Sequence, residues 1–266
     1  MFTVDTGFVF ALRQEAVGIL DRLKRCKTTR GNGWTFHTGR IEDISVAIVL
    51  SGVGQKNAEA ATNILLDVFV PKLICSAGYA GGCSSRLKQS NICVPEQVMR
   101  GSDKQALDLS KRIPQRTSMM PNKLTLLTVN DVVESPEQKR TFYEQTGAEL
   151  VDMETFAVAE VCRTREVPFL SIRVILDAVE DRVPHDITKI LEHMDKGTSR
   201  FSGAILGSLW SRPSVVLDLV SLKRRALTAA ERLAKFTVAE LFRRKPVEGA
   251  VGKLHWLEDE TRIRHG

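Results

Sequence analysis

The sequence lacks the patterns that mark secreted, metal-binding and membrane-spanning proteins. Its 266 residues include five cysteines, an odd number, and no two of them form a CxxC pair. Disulfide frameworks and thiolate metal sites need more regular cysteine patterns, so we expect reduced thiols in a cytoplasmic protein with no metal. No positively charged region precedes the first apolar stretch, and no run approaches the roughly 18 apolar residues of a membrane span. We therefore expect neither a signal peptide nor a transmembrane helix.

A strong charge imbalance is also absent. The net charge is +6, and much of the basic excess lies in the last quarter of the chain. There, basic residues are interleaved with leucines and alanines: Arg212, Lys223, Arg224, Arg225, Arg232, Lys235, Arg243, Arg244 and Lys245. We interpret them as the solvated face of helices packed on the rest of the protein. A surface for acidic membranes or for a protein partner is the alternative. We expect no nucleic-acid partner.

The rest of the chain has no internal repeat and alternates apolar strands with amphipathic helices. The predicted strands are Gly7–Ala11, Trp34–Gly39, Ile44–Leu50, Lys72–Ala77, Ser90–Val94, Lys123–Asn130, Leu150–Val151 and Phe169–Leu176. The main predicted helices are Ala16–Lys24, Gln55–Phe69, Pro136–Thr146 and one that starts near Asp152. This alternation predicts an α/β fold of three layers, α/β/α, around a central, mostly parallel mixed sheet.

The domain boundaries follow from where this alternation stops. We place the α/β domain in residues 1–200, with Lys27–Gly33 as a loop and residues 97–122 as a loop with one short helix. Beyond it, Phe201–Trp210 and Pro213–Phe242 are predicted helices, so residues 201–245 form a basic helical extension. Residues 246–266 are predicted to be a flexible tail.

The segment Leu150–Asp181 reads as a strand, a helix and a second strand. The second strand, Phe169–Leu176, is apolar on both faces apart from one serine and Arg173. A strand of this kind belongs in the middle of an α/β sheet, where a buried arginine needs a partner. Asp177, at the carboxyl end of the strand, is the candidate companion.

Several predicted strands end in polar or glycine-rich groups. These groups are Glu15, Ser51–Gly54, Gly78–Gly82, Asp152–Glu154, and Arg173 with Asp177. The carboxyl ends of strands in open α/β sheets form the ligand crevice, so the groups together indicate an enzyme for a small molecule. Each group also has a structural explanation. Acids favour the first turns of helices, glycines favour turns, and the arginine has a structural use if it is paired.

Four motifs combine into a family resemblance. GVG (52–54) follows one strand, AGYAGG (77–82) belongs to the next, and VDMETFAVA and PFLSIRVILDAVED come later. Together they resemble the nucleoside phosphorylase and nucleosidase superfamily, and within it the methylthioadenosine/S-adenosylhomocysteine nucleosidases. DVVESPEQKR, VDMETFAVAEV and LGSLWSRPSVVLDLVSLKRRA also resemble the hopanoid-associated phosphorylases, which act on adenosylhopane. The resemblance covers about residues 7 to 235.

The resemblance implies a role for each residue of the predicted site. Glu154 would hold the ribose hydroxyls, and Met153 would pack on the sugar. Asp177 would protonate or hydrogen-bond the purine at N7. Glu15 would orient and deprotonate the attacking water, and Arg173 would help to position that water or a phosphate. The remaining substrate contacts are expected at Gly54, Tyr79 and Val133.

The implied reaction cleaves the N-glycosidic bond of a purine nucleoside, an adenosine with a 5′ substituent. The positive charge that develops on the sugar is stabilised by nearby carboxylates. Tyr79 and Leu176 stand where the nucleosidases usually have serines, and Arg13 stands where they carry an acid. Hydrolysis that releases adenine is the first prediction, and phosphorolysis of the adenosylhopane type is the alternative. We expect no cofactor, with phosphate as a co-substrate only if the enzyme is a phosphorylase.

The expected partners are a nucleoside and further copies of the chain, since the family suggests a homo-oligomer. A non-catalytic nucleoside-binding or membrane-associated protein with this fold is the alternative from another class. The joint presence of the three acids Glu15, Glu154 and Asp177 argues against it.

Overall fold

The computed structural model describes residues 2–31, 33–109, 124–183 and 213–242, with the side chains of the last segment described from residue 224 to residue 241. The strands are β1 (Phe2–Phe10), β2 (Lys24–Gly31), β3 (Trp34–Ile41), β4 (Ile44–Leu50), β5 (Phe69–Gly82), β6 (Ile92–Cys93), β7 (Gln97–Arg100), β8 (Ala106–Asp108), β9 (Thr125–Thr128), β10 (Leu150–Asp152) and β11 (Phe169–Asp177). The helices are α1 (Arg13–Leu20), α2 (Gln55–Val68), α3 (Pro136–Thr146), α4 (Thr155–Thr164) and α5 (Pro213–Phe242).

The strands form one mixed sheet organised around the long strand β5. The order is β2-β3-β4-β1-β5-β10-β9-β7-β8, and β11 pairs with β5 and with β6. The first part of β5 lies parallel to β1, from Phe69 opposite Phe2 to Ser76 opposite Val9. Its second part lies parallel to β11, and its last two residues pair antiparallel with β10. Because β5 is shared in this way, one strand connects all the elements that carry the site.

Helices cover both faces of the sheet. The alternation of side chains along a strand sends Val9 to the face covered by α2 and α4, and Phe8 and Phe10 to the face covered by α1 and α5. Leu65 of α2 and Leu233 of α5 are fully buried in these two cores. Burying a side chain of this size contributes about 1.5–3 kcal/mol, so both layers stabilise the sheet. The predicted three-layer α/β fold is confirmed.

Helix α5 belongs to this packing. It contacts α1 and β11, and Arg22 of α1 forms an ion pair of 2.7 Å with Glu231. A Cβ at Gly18 would lie only 2.6 Å from the Cβ of Ala234, so this glycine permits the close approach of α1 and α5. Within the described residues, no helix is long and apolar enough to cross a membrane.

Local signals predicted most elements, and three predictions were wrong. Most of the predicted loop Lys27–Gly33 belongs to the edge strand β2 (Lys24–Gly31), and β7 and β8 lie in residues 97–122, which were predicted as a loop with a short helix. The glycines of Gly78–Gly82 continue β5 and do not form a turn, because β11 pairs with them. The predicted helix Phe201–Trp210 and the predicted tail 246–266 lie outside the described residues. The domain boundaries remain predictions.

Candidate active site

A cavity of about 380 Å³ lies at the carboxyl ends of β1, β4, β9, β10 and β11. Its volume falls in the range of small-ligand pockets, about 300–1,000 Å³. The lining residues are Ala11, Leu12, Gln14, Glu15, Val53, Tyr79, Ala80, Gly81, Val129, Asp131, Val132, Val133, Val151, Asp152, Met153, Glu154, Leu176, Asp177, Val183, Ala226 and Leu227. Three of the predicted acids, Glu15, Glu154 and Asp177, therefore meet around one space.

Glu15 is held at the cavity wall by two backbone amides. The Leu12 amide donates to its Oε2 at 2.9 Å, and the Tyr79 amide donates to its Oε1 at 2.8 Å. Only 5% of the residue is exposed, and this burial raises the pKa of Glu15 above its ordinary value. A fixed carboxylate with a raised pKa is suited to take a proton from water.

Glycines in β5 make room for two of the acids. A Cβ at Gly78 would lie 2.6 Å from Glu15 Oε1, and a Cβ at Gly81 would lie 3.2 Å from Asp177 Oδ2. The AGYAGG motif is therefore a strand with side-chain gaps, through which carboxyl groups approach the sheet.

Glu154 lies at the N-terminal end of α4, where the Gly54 amide donates to its Oε1 at 2.7 Å. Gly54 has a φ of 96°, a conformation that glycine adopts without strain. Burial, followed by the charges of Asp152 and Glu15, raises the pKa of Glu154 to about 8. Glu154 therefore loses its proton less readily than an ordinary glutamate, and its carboxyl oxygens are placed to hydrogen-bond hydroxyl groups.

Arg173 lies beneath the cavity and is 2% exposed. Its Nε and Nη2 donate to Asp152 Oδ2 at 3.1 and 2.9 Å, and Nη2 also donates to Thr155 Oγ1 at 2.6 Å. Ser76 takes two more of its hydrogen bonds, at 2.9 and 2.8 Å. The predicted pairing with Asp177 was wrong, because Asp152 at the end of β10 is closer to the guanidinium. Through Asp152 and Thr155, Arg173 therefore stabilises the start of α4, where Glu154 lies.

A β-bulge aims Asp177 into the cavity. Ile175 pairs with Ala80 of β5 and Asp177 pairs with Gly81, so Leu176 is an extra residue in β11. Both Leu176 and Asp177 line the cavity as a result. Bulges commonly redirect a side chain in this way next to a site.

The partner of Asp177 is Lys139 on α3, whose Nζ lies 2.5 Å from Asp177 Oδ2. Sequence reasoning missed Lys139, although it lies within the DVVESPEQKR segment that carried part of the resemblance. A lysine on a polar helix resembles any surface lysine until the fold buries it. Burial raises the pKa of Asp177, and the Lys139 ammonium acts in the opposite direction.

The other predicted contacts separate into two groups. Met153, Tyr79 and Val133 line the cavity. Gly54 is not among the lining residues and acts through Glu154 instead. Arg173 lines a narrow crevice with Glu15 and Glu154 rather than the cavity itself.

Helix α5 supplies part of the cavity wall. Ala226 and Leu227 line it, and the Tyr79 hydroxyl donates to the Ala226 carbonyl oxygen at 2.9 Å. With Leu12 and Leu176 they give the cavity a largely aliphatic surface around the acids. Within the described residues, no cluster of three or more histidines, cysteines or acids suits a metal ion.

Comparison with known proteins identifies the family of the chain. The family model described as "Phosphorylase superfamily" matches residues 6–122 and 122–209. The chain belongs to the phosphorylase superfamily. The 5′-methylthioadenosine/S-adenosylhomocysteine nucleosidase of Colwellia psychrerythraea is 26% identical over 239 residues, which cover 77% of this chain and 97% of that protein. The nucleosidase of the same name from Maridesulfovibrio salexigens is 28% identical over 199 residues, which cover 66% of this chain and 86% of its own.

Solved structures show the superfamily fold directly. The Colwellia nucleosidase in complex with adenine superposes with a TM-score of 0.60 at 25% identity, over 72% of this chain and 90% of its own. The Helicobacter pylori nucleosidase with butyl-thio-DADMe-Immucillin-A gives a TM-score of 0.66 at 17% identity, over 90% of this chain and 98% of its own. The second likeness extends the shared superfamily fold over most of the chain.

Proposed function

We propose that this chain hydrolyses the N-glycosidic bond of a purine nucleoside, an adenosine with a 5′ substituent, and releases adenine. The convergence of Glu15, Glu154 and Asp177 on one nucleoside-sized cavity carries the proposal. The relatives of matching length, which are named methylthioadenosine/S-adenosylhomocysteine nucleosidases, support it.

The three acids act at three points of the substrate. As the bond from C1′ to the purine breaks, positive charge develops on the sugar, and carboxylates near the ribose favour that transition state. Glu154 binds the ribose hydroxyls, with Met153 against the sugar. Asp177 gives a proton to N7, which makes the purine a better leaving group, and Glu15 takes a proton from the attacking water.

The contacts of Arg173 favour water over phosphate. A phosphate needs free donors or cations near the anomeric carbon, since it carries close to two negative charges. All three guanidinium nitrogens of Arg173 already donate to Asp152, Thr155, Ser76 or the carbonyl oxygen of Ile172. Arg13 is exposed and is not among the cavity residues. The buried acid Glu15 lines the cavity, and a carboxylate base of this kind supports hydrolysis.

Phosphorolysis of an adenosylhopane-type nucleoside is the second candidate, because the aliphatic wall of the cavity suits the apolar 5′ substituent of such a substrate. Ala226 and Leu227 from the basic helix α5 add to this wall, and Leu176 replaces a serine of the nucleosidases. A bulky apolar 5′ substituent suits such a surface better than a charged one. The aliphatic wall concerns the identity of the 5′ substituent, whereas the contacts of Arg173 concern the choice between water and phosphate.

We also propose that the enzyme works without a cofactor, as a homo-oligomer in the cytoplasm. The reaction needs only water and acid–base groups. None of the five cysteines forms a disulfide, which suits a reducing compartment.

The test is adenine release from purified protein. Adenosine, methylthioadenosine, S-adenosylhomocysteine and inosine are compared for the wild type, for Glu15→Gln and for Glu144→Gln, a matched change on the exposed side of α3. We expect the 5′-substituted adenosines to react fastest, the Glu15 variant to lose about 10²–10⁴-fold in kcat, and the control to keep wild-type activity. No base release from any nucleoside would contradict the proposal.

A further inference from the structure

Lys139 is a fully buried cation next to the proposed general acid. Its Nζ lies 2.5 Å from Asp177 Oδ2 and donates to the carbonyl oxygens of Ala178 and Asp181, each at 2.8 Å. These three acceptors match the three N–H bonds of an ammonium group. The three contacts of the Lys139 ammonium group therefore all go to the segment Asp177–Asp181.

Anchoring this segment does not by itself explain a buried lysine. The Ala178 amide donates to Asp181 Oδ2 at 2.8 Å, and the Val183 amide donates to the Glu134 carbonyl oxygen at 3.0 Å. The neighbouring Arg140 of α3 also forms an ion pair with Glu180. A buried ammonium carries a large desolvation cost, whereas these contacts hold the segment at the surface. What distinguishes Lys139 is its contact with Asp177.

We propose that Lys139 is a positioning residue that fixes Asp177 for protonation of the purine and stabilises the carboxylate left after proton transfer. The inference rests on the proposed function. Lys139 holds Oδ2 of Asp177, so Oδ1 is the oxygen that faces the purine. As the bond from C1′ to the purine breaks, its electron pair passes to the purine, and the proton on Asp177 moves to N7. Asp177 ends as a carboxylate paired with Lys139, which keeps its own proton.

The surroundings of Asp177 make Lys139 the dominant cation there. Burial raises the pKa of Asp177, and Asp181 in the following turn raises it further, whereas Lys139 and then Arg225 on α5 lower it. The thiol of Cys83, which follows β5, also faces the pair. Without Lys139 the pKa of Asp177 rises further. The residue then keeps its proton to higher pH and is a weaker acid toward N7.

The test compares Lys139→Met, which keeps the unbranched chain up to the ε position and removes the ammonium group, with the wild type across pH. We expect kcat for adenine release to fall at least about tenfold, with KM changed less than about threefold. We also expect the alkaline limb of the kcat–pH profile to move to higher pH. Lys139→Arg keeps the charge and should recover part of the rate. Should the Met variant not fold, Lys139→Gln is compared with Lys139→Arg instead.

Two controls separate positioning from structure. Arg140→Met removes a contact of the same helix to the same segment without touching Asp177, so the alkaline limb should stay in place. 4-Nitrophenyl riboside has a leaving group that needs no proton, so Lys139→Met should cleave it at about the wild-type rate. An unmoved alkaline limb, or equal losses on both substrates, would overturn the role of Lys139 alone. A wild type that releases no adenine would instead remove the proposed function, and this inference with it.

Discussion

Gly78→Ala tests whether the backbone of β5 sets the position of Glu15, the proposed base. The new Cβ would lie 2.6 Å from Glu15 Oε1, and an ordinary contact begins near 3.4 Å, so the carboxylate must shift by about 0.8 Å. A shift of that size disturbs the 2.8 Å hydrogen bond from the Tyr79 amide. Misplacing a reacting group by about 1 Å costs up to about 10²-fold in rate. We therefore expect kcat to fall roughly 10- to 100-fold.

Gly82→Ala is the matched control on the same strand. Its Cβ would meet Leu87 at 3.4 Å and Ile175 at 3.5 Å, which are ordinary contacts. Steady-state adenine release and thermal unfolding are measured for both variants. We expect the control to keep its kcat within about threefold. Suppose that Gly78→Ala is as active as the control and equally stable. The displacement of the Glu15 carboxylate would then have no effect on kcat, which would contradict its role as the positioned base.

Three further predictions concern the acids and α5. Asp177→Asn should bind substrate and lose about 10²–10⁴-fold in kcat, because an amide cannot supply the proton; turnover near the wild-type rate would remove Asp177 from this role. Glu154→Gln should reduce activity on ribosides far more than on 2′-deoxyribosides, whereas equal losses would make Glu154 a structural acid. If the basic face of α5 is only the solvated side of a packed helix, the intact chain should not bind anionic vesicles in a flotation assay. Salt-sensitive binding would favour a membrane role and, with it, a lipid-linked nucleoside.

Sequence reasoning succeeded where the signal was local. Helix α3 begins and ends where its pattern predicts, because Ser135 and Gln138 form a capping box and Gly147 ends the helix in the left-handed conformation. The apolar run of β11 likewise predicted a central strand with an acid at its carboxyl end. Signals of this kind lie within a few neighbouring residues, so they can be recognised without knowing which distant segments the element packs against.

The remaining features depend on contacts that are distant in sequence. Nothing near Gly78 says that β5 continues through the glycines, since this follows from pairing with β11, about 95 residues later. The partner of Arg173 could not be chosen from sequence, because Asp152 and Asp177 both lie at strand ends. The β-bulge at Leu176 and the burial of Lys139 likewise appear only when β5 and α3 are in place. The sequence singled out the acids that line the cavity, whereas Lys139 and the β-bulge, which position Asp177, depend on the fold.

The most direct test of the central claim is the sugar product of a 5′-substituted adenosine, measured with and without phosphate. The account predicts that adenine is released at the same rate in both conditions and that the other product is the free ribose derivative. This outcome would identify water as the nucleophile, as the engaged contacts of Arg173 and the position of Glu15 suggest. Release that requires phosphate and yields a ribose 1-phosphate would contradict it and favour a phosphorylase.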